Sequence, residues 1–442
     1  MTDPAYLSAG ELIAAFTEKT ISPVEHLESL IDRIERLEPT LNAVMDRRYE
    51  EALVEARHSA QRYVHGNPRA LDGVPVAVKE EQPMAGRSWS LGSLAYTDQV
   101  GPLDHPIVER IQQAGGIIHI RTTTPEFCCA PYCHTRIWGV TRNPWNTDQS
   151  PGGSSGGTGA ALAAGYAPLG TGSDIGGSIR IPASLSGVAG FKPPWQRVPA
   201  LPPYNLDQYC HDGPMARTVA DCALLEDVIA GYHWRDGVSL PNPPKVVNAG
   251  ADPGGLRVAY SVDLAGWPVE AAVAENTRRV AASLAAEGAH VEEVTLPWRW
   301  ERIWEMAEAH FRAIMAAGVA AIRNDHHELL NDYAVAFADS MQQQGMGFYE
   351  GLEHEGEMWE PLGQLFERFD VLVCPTMATE GYVAGEPYLG GFEIAGQMLP
   401  HHILGAMTLP FNILSRCPVL SVPSGLGSNG VPTGVQVVAR PY

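Results

Sequence analysis

Between residues 151 and 182 the chain reads PGGSSGGTGAALAAGYAPLGTGSDIGGSIRIP, two glycine-serine clusters separated by an alanine-rich stretch. This segment constrains the fold more than any other. A flexible linker would be more polar and more uniform. Here Ala160, Ala161, Ala163 and Ala164 favour a helix. The pattern predicts a loop, a helix, a strand and a second glycine-rich loop at Ser173–Ser178.

The flanking sequence alternates helices with short apolar strands. Ser8 with Glu11, and Ser22 with Glu25, have capping-box spacing, and Pro23 suits a first helical position. Val24, Leu27, Leu30, Ile31, Ile34 and Leu37 then recur at helical spacing, and a further helix is expected over 50–63. Val74–Val78 is a short apolar run ending in Lys79, as in a buried strand with a charge at its tip. A helix over 106–113 is followed by a strand over 117–120. Further on, strands are expected at 256–260, 290–294, 370–374, 418–422 and 434–438. Helices are expected at 270–287, 301–322 and 329–342. The stretches 239–255 and 377–392 read as loops. Repeated helix-strand alternation predicts an α/β fold with a mixed central β-sheet flanked by helices. The expected organisation is one domain over 1–442. Residues 1–65 form an α-helical N-terminal arm, and 66–442 an α/β core carrying the segment 150–193.

Two general chemistries compete for the glycine-rich segment. A phosphate loop needs Lys and then Ser or Thr after its last glycine, whereas Gly157 is followed by Thr158 and Gly159. A dinucleotide fingerprint needs a preceding strand, and Asn146–Pro151 is turn-like. A nucleophile elbow is matched by Gly152-Gly153-Ser154-Ser155-Gly156 and by the frame beginning at Gly153, again without the strand that this motif requires.

A third reading covers far more residues. Gly152–Gly157 together with Gly172-Ser173-Asp174-Ile175-Gly176-Gly177-Ser178-Ile179-Arg180-Ile181-Pro182 resembles the amidase signature family. So do Gly73–Lys79, Thr124-Pro125-Glu126-Phe127, Asn143-Pro144-Trp145, Gly190-Phe191-Lys192-Pro193, Leu420–Pro423 and Gly434–Val438, in the family's order. The resemblance implies the amidase signature fold and hydrolysis of a C–N acyl bond. It makes Ser178 the acylated nucleophile, Lys79 the base, and Ser154, 24 positions before Ser178, the bridging serine on a cis peptide. The backbone amides of Ile175, Gly176, Gly177 and Ser178 would form the oxyanion hole, the glycines allowing the dihedrals that aim donors at one point. No cofactor and no metal are implied. A lysine serves as base only when neutral. Lowering its pKa from about 10.4 to near 7 costs about 4–5 kcal/mol, within reach of burial. Strand alternation sets Lys79 on the face of Pro75 and Ala77, an expected apolar wall.

Plainer readings stand beside these. Lys79 alone reads as a strand-end cation paired with Glu80 or Glu81. Ser154 and Ser178 alone read as turn serines, and Asp174 and Arg180 as loop-holding residues. Cys128, Cys129, Cys133 and His134 cluster, but adjacent Cys128 and Cys129 point differently and no second Cys/His pair follows, so packing is favoured over zinc; the family resemblance sets this stretch close to the active site, which makes substrate contact the third option. His401 and His402 read as pocket wall or surface.

The substrate classes that the resemblance implies are aliphatic amides, aryl amides (anilides), oligomeric amides and carbamates (urethanes), with aryl ester cleavage as a side activity. Ten Trp, fifteen Tyr and the apolar 397–417 stretch suit an apolar or aryl small molecule. The rival enzyme is the glutaminase (A) subunit of a tRNA-dependent amidotransferase. Against it, Pro194-Trp195-Gln196-Arg197 keeps only the Arg of that branch. The non-enzyme rival is a binding protein on the same fold. Thirty basic and 51 acidic residues give a formal charge of −21, which disfavours nucleic acid and anionic lipid as partners. The absence of a long apolar run or a visible signal sequence, with an odd count of seven cysteines, predicts a cytoplasmic protein. Oligomeric state stays open.

Overall fold

The computed structural model describes residues 3–441 apart from 242, 247–252 and 341–344. Among these residues eleven strands form one sheet: β1 (Val44–Arg47), β2 (Pro75–Lys79), β3 (Ile117–Thr122), β4 (Leu169–Asp174), β5 (Ala189–Lys192), β6 (His211–Ala216), β7 (Arg257–Tyr260), β8 (His290–Glu293), β9 (Val371–Pro375), β10 (Val419–Leu426) and β11 (Pro432–Ala439). Their spatial order is β1-β3-β2-β4-β6-β5-β10-β11-β9-β7-β8. The neighbours β3, β2 and β4 run parallel, as do β9, β7 and β8. The strands between these groups pair antiparallel. This is the mixed, helix-flanked sheet expected, an α/β fold.

The N-terminal helices Ala9–Glu18, Pro23–Leu41 and Tyr49–His65 follow their sequence signals. Ser8 Oγ accepts from the Glu11 amide at 3.1 Å while the Glu11 carboxylate accepts from the Ser8 amide at 2.7 Å. Ser22 and Glu25 repeat the arrangement. Each cap contributes about 1 kcal/mol. The apolar stripe of the second helix buries Leu27 against Ala52, Ala56 and Ile117, which seats the arm on β3. The arm also contains β1, an unexpected strand that pairs antiparallel with β3.

Strands β5 and β6 and the helix Val219–Ile229 are likewise absent from the sequence expectation. His211–Ala216 contains Gly213 and Pro214, residues that argue against a central strand. Tertiary crowding explains the glycine. A Cβ on Gly213 would collide with the Phe191 carbonyl oxygen and lie 2.8 Å from Pro193 Cδ. Gly213→Ala is expected to destabilise the protein by about 1–3 kcal/mol through overpacking, read as a lowered urea midpoint.

The helix expected over 301–322 is interrupted: Trp300–Phe311 continues through a π-helical turn, Arg312–Ala316, into Ala317–His326. The one expected over 329–342 spans Asp332–Asp339, and its last two expected positions lie outside the described residues. Of the loop stretch expected at 239–255, residues 242 and 247–252 lie outside them as well. The expected loop 377–392 leads into a hairpin, Phe392–Ile394 with Gln397–Leu399. The helix preceding β9 runs over Phe348–Arg368. Among the described residues no helix is long and apolar enough to cross a membrane.

The functional side chains gather where the parallel strands β2 and β4 end. Lys79 closes β2, Asp174 closes β4, and the helix Gly156–Ala163 packs against both strands. Crevices at the carboxyl ends of parallel strands are the usual ligand sites of α/β sheets.

Candidate active site

Lys79 is fully buried. Its ammonium donates to Ser154 Oγ at 2.7 Å and to Ser173 Oγ at 2.7 Å, with Glu81 Oε2 3.4 Å away. The Ser173 hydroxyl donates in turn to Glu81 Oε2 at 2.6 Å. The Gly153–Ser154 peptide is cis. A Cβ on Gly153 would stand 2.5 Å from the Tyr132 carbonyl oxygen, so only glycine permits this approach of the backbones. Ser154 precedes the helix Gly156–Ala163 without a strand before it, and its partner is a lysine, not a histidine.

Ser178 lies next to this pair: its carbonyl oxygen accepts from the Ser155 amide at 3.2 Å. Its side chain lines an adjoining cavity. Lys79 and Ser154 are thus hydrogen-bonded, whereas the Ser178 hydroxyl has no hydrogen-bond partner among the described residues.

The loop carrying Ser178 is held from beneath. The Arg180 guanidinium grips Asp174 with two 2.9 Å bonds. It also donates to the Thr408 carbonyl at 3.0 Å, Gln436 Oε1 at 2.9 Å and Asn412 Oδ1 at 2.7 Å. Asp174 accepts from the Gly177 amide at 2.8 Å and from Asn412 Nδ2 at 2.8 Å. Burial opposes the Asp174 charge, but Arg180 and Asn412 outweigh it and hold the carboxyl well below its usual range. Asp174 and Arg180 therefore occupy the loop-holding role. Gly177 sits at φ +123°, and a Cβ there would meet Thr408 Oγ1. Of the four amides expected to converge, that of Gly177 is already given to Asp174. Those of Ile175, Gly176 and Ser178 have no protein acceptor among the described residues.

The surroundings of Lys79 differ from the expected apolar wall: two hydroxyls and a carboxylate meet the ammonium. Burial disfavours its charge, but Cys128 and Glu81, in their ionised forms, outweigh burial and hold it above its ordinary range. Burial pushes the Cys128 thiol up to about 11, so at neutral pH Glu81 is the anion. Glu80 turns the other way. It accepts from the Ser90 amide at 2.6 Å and the Leu91 amide at 3.3 Å, and burial pushes it up to about 7. The sequence offered both glutamates as partners of Lys79. The turn closed by the Gln82 amide on the Lys79 carbonyl, at 3.1 Å, accompanies the choice of Glu81. Ser173 was not singled out, although β-strand alternation placed it one pleat before Asp174, on the side of the neighbouring strand that faces Lys79.

The cavity has a volume of about 260 Å³. Ile175, Gly176 and Ser178 lie on one side, and Trp304, Phe311, Tyr333, Phe337 and Tyr388 supply aromatic walls. Glu308 contributes a carboxylate, paired with Arg312 at 3.3 Å; no described Lys or Arg lines it. His401 and His402 belong to the wall. His401 stacks on Trp304 with centroids 4.9 Å apart, and burial pushes it well below its ordinary value. Burial pushes His402 down to about 4, so burial disfavours a charge on either ring.

Cys128 and Cys129 also line the cavity. Cys128 Sγ lies 3.2 Å from Thr124 Oγ1, and the Cys129 thiol donates to the Glu126 carbonyl at 3.1 Å. Cys133 is buried, and His134 stacks on Tyr132. Among the described residues no group of three or more His, Cys, Asp or Glu is placed to hold a metal ion.

The sequence model of the family described as Amidase matches residues 25–442. The chain is 32% identical to the glutamyl-tRNA(Gln) amidotransferase A chain of Moorella thermoacetica, over 99% of this chain and 93% of that protein. It is 30% identical to the acylamidase of Rhodococcus erythropolis, over 98% and 92%. The solved structure of a bacterial aryl acylamidase of the amidase signature enzymes superposes with a TM-score of 0.90 at 28% identity, covering 99% of this chain and 94% of that one. A family match running from Glu25 to the last residue, on a sheet that brings Lys79 to Ser154 beside Ser178, shows that this chain belongs to the amidase family.

Proposed function

We propose that this protein hydrolyses the C–N acyl bond of small, uncharged, apolar amides, aryl amides and carbamates among them, through an acyl-enzyme on Ser178. The observation that carries the reading is the 2.7 Å Lys79–Ser154 hydrogen bond beside a serine that lines an aromatic-walled cavity. A serine hydroxyl is weakly nucleophilic until a base takes its proton. In the reading proposed, neutral Lys79 accepts a proton from Ser154 as Ser154 accepts that of Ser178. Ser178 Oγ bonds to the substrate carbonyl carbon. The developing oxyanion meets the amides of Ile175, Gly176 and Ser178, while Gly177 spends its amide on Asp174 and keeps the loop in shape. As the tetrahedral species collapses, the C–N bond breaks and the proton returns through Ser154 to the leaving nitrogen. Water then repeats the sequence on the acyl-enzyme. The Ser178–Ser154 hydrogen bond is one that substrate binding must complete.

The acylamidase and aryl acylamidase relatives support this substrate class. The amidotransferase relative keeps the glutaminase alternative in view, but free glutamine carries two charges, and the lining residues offer no described cation for its carboxylate. The seven free cysteines suit a reducing compartment such as the cytoplasm. We also read the chain as one domain built on the single large sheet, needing no cofactor, with no nucleic-acid or membrane partner.

A fluorophosphonate probe tests the nucleophile. An adduct located by mass on Ser178 supports the reading, one on Ser154 supports the elbow, and none in a folded sample supports a binding protein. A nitroanilide, an aliphatic amide, an aryl carbamate and glutamine assayed side by side rank the substrates, and aryl esters are expected to be cleaved as well. Lys79→Ala is expected to lower amide turnover about 10²–10⁴-fold, the range of a lost general base, with an unchanged circular dichroism spectrum. A near-normal rate in that variant removes lysine from the mechanism.

A further inference from the structure

The hydrogen-bonded row does not stop at Lys79. Beyond it the Ser173 hydroxyl accepts from the ammonium at 2.7 Å and donates to Glu81 at 2.6 Å. The lysine side chain has no exposure, whereas that of Glu81 is 23% exposed. A buried ammonium whose role demands deprotonation thus has a carboxylate at 3.4 Å and a hydroxyl bridge leading from it toward solvent.

We propose that Glu81 is a positioning residue that sets the pH at which Lys79 becomes a base, and that Ser173 and Glu81 form the route by which Lys79 exchanges its proton with bulk water. This rests on the role of Lys79 given above. The transfer is balanced: a Lys79 N–H bond breaks as Ser173 Oγ takes that proton, the Ser173 O–H proton passes to Glu81 Oε2, and Glu81 releases it to solvent. A carboxylate close to a lysine favours the ammonium form, so Glu81 keeps the base protonated until the pH is high enough to empty the pair.

The groups around Glu81 leave it as the dominant charge. Asp212, on β6, is pushed up to about 8 by burial and by Glu81 itself. His105, ahead of the helix Pro106–Gln113, is pushed down to about 4 by burial. Cys128 is raised to about 11, and burial also raises Cys210 and Tyr204. Burial thus favours the neutral form of each of these five groups. Glu81 itself lies below its ordinary value: burial opposes its charge, but Lys79 and the Ser173 bond prevail.

The test is the pH profile of kcat/KM for an activated anilide, with the rate of fluorophosphonate labelling of Ser178 as a second readout. Glu81→Gln removes the negative charge while keeping the side-chain shape. Its acidic limb is expected to move to lower pH by about one unit or more, the size typical of a close opposite charge. On that limb the variant would be about tenfold faster than wild type at the same pH, the rate equivalent of that shift. Glu81→Asp is expected to restore much of the wild-type position. Glu81→Gln combined with Asp212→Asn is expected to keep the shift, since Asp212 can take up charge once Glu81 is gone. Ser173→Ala, which cuts the bridge and leaves both charges, is expected to move the limb less than Glu81→Gln and to slow the onset of fluorophosphonate labelling after a jump from acidic to alkaline pH. An unmoved or upward limb in Glu81→Gln, with Lys79→Ala inactive, overturns the inference alone. Full activity in Lys79→Ala overturns the function on which it rests.

Discussion

Replacing Ser178 by alanine is expected to leave a folded protein whose amide turnover falls by about 10⁴-fold or more, the scale set by loss of a nucleophile in serine hydrolases. The side chain lost is small and only 7% exposed, and its hydroxyl has no hydrogen-bond partner among the described residues. Its neighbours therefore keep their contacts: Asp174 still ties the Gly177 amide and Thr408 still donates to the Gly176 carbonyl at 2.6 Å. The variant should bind substrate analogues normally while forming no covalent adduct. Matching thermal unfolding curves with abolished probe labelling would meet the expectation. A variant that still hydrolyses anilides at a near-normal rate would show that another group carries the acyl chain.

Arg180→Leu is expected to cost about 3–5 kcal/mol, the range for breaking a buried ion pair by removing one partner. Asp174 and Arg180 are both fully buried, so the loss leaves a carboxylate without its counter-charge, together with acceptors on Thr408, Gln436 and Asn412 whose donor has gone. The effect carries a pH signature. In wild type the folded pKa of Asp174 lies below its unfolded value. The stability it contributes is therefore present above about pH 4 and lost as the pH falls below that value. In the variant the uncompensated burial raises the folded pKa. The deficit should then be largest at neutral pH and shrink as acid protonates the carboxyl. Urea midpoints near neutrality and about two to three pH units below it check this. A deficit that is independent of pH would mean that packing, not charge, is what Arg180 supplies. The same substitution should lower kcat, because the loop presenting Ser178 and its amides is braced from this residue.

How much of this was legible in advance depends on how local the signal is. The capping boxes at Ser8 and Ser22, the stripe from Val24 to Leu37 and the strand ending in Lys79 are patterns within a few residues. The structure places them where the periodicity puts them. Strand β6 was invisible for the opposite reason. Gly213 and Pro214 disfavour a strand when taken locally, yet the glycine is required by the Phe191 carbonyl packed against it. Ser154 and Ser178 stand out through the glycine-serine pattern itself. Glu81 was readable only as one of two candidate partners, because a turn following Lys79, and not strand alternation alone, governs which carboxylate returns to the ammonium.

Glycine spacing, helix caps and the residue types at positions 79, 154 and 178 were written in the chain, since they follow from backbone torsion and from the chemistry of single side chains. Where those side chains meet was decided by the order of the strands. Placing β2 beside β4 carries Lys79 to Ser173 across 94 positions. Packing Trp304, Phe337 and His401 around Ile175 builds a cavity from segments with no common local signature. Distances between remote segments are set by how apolar faces bury one another in three dimensions, and no short window of sequence contains them.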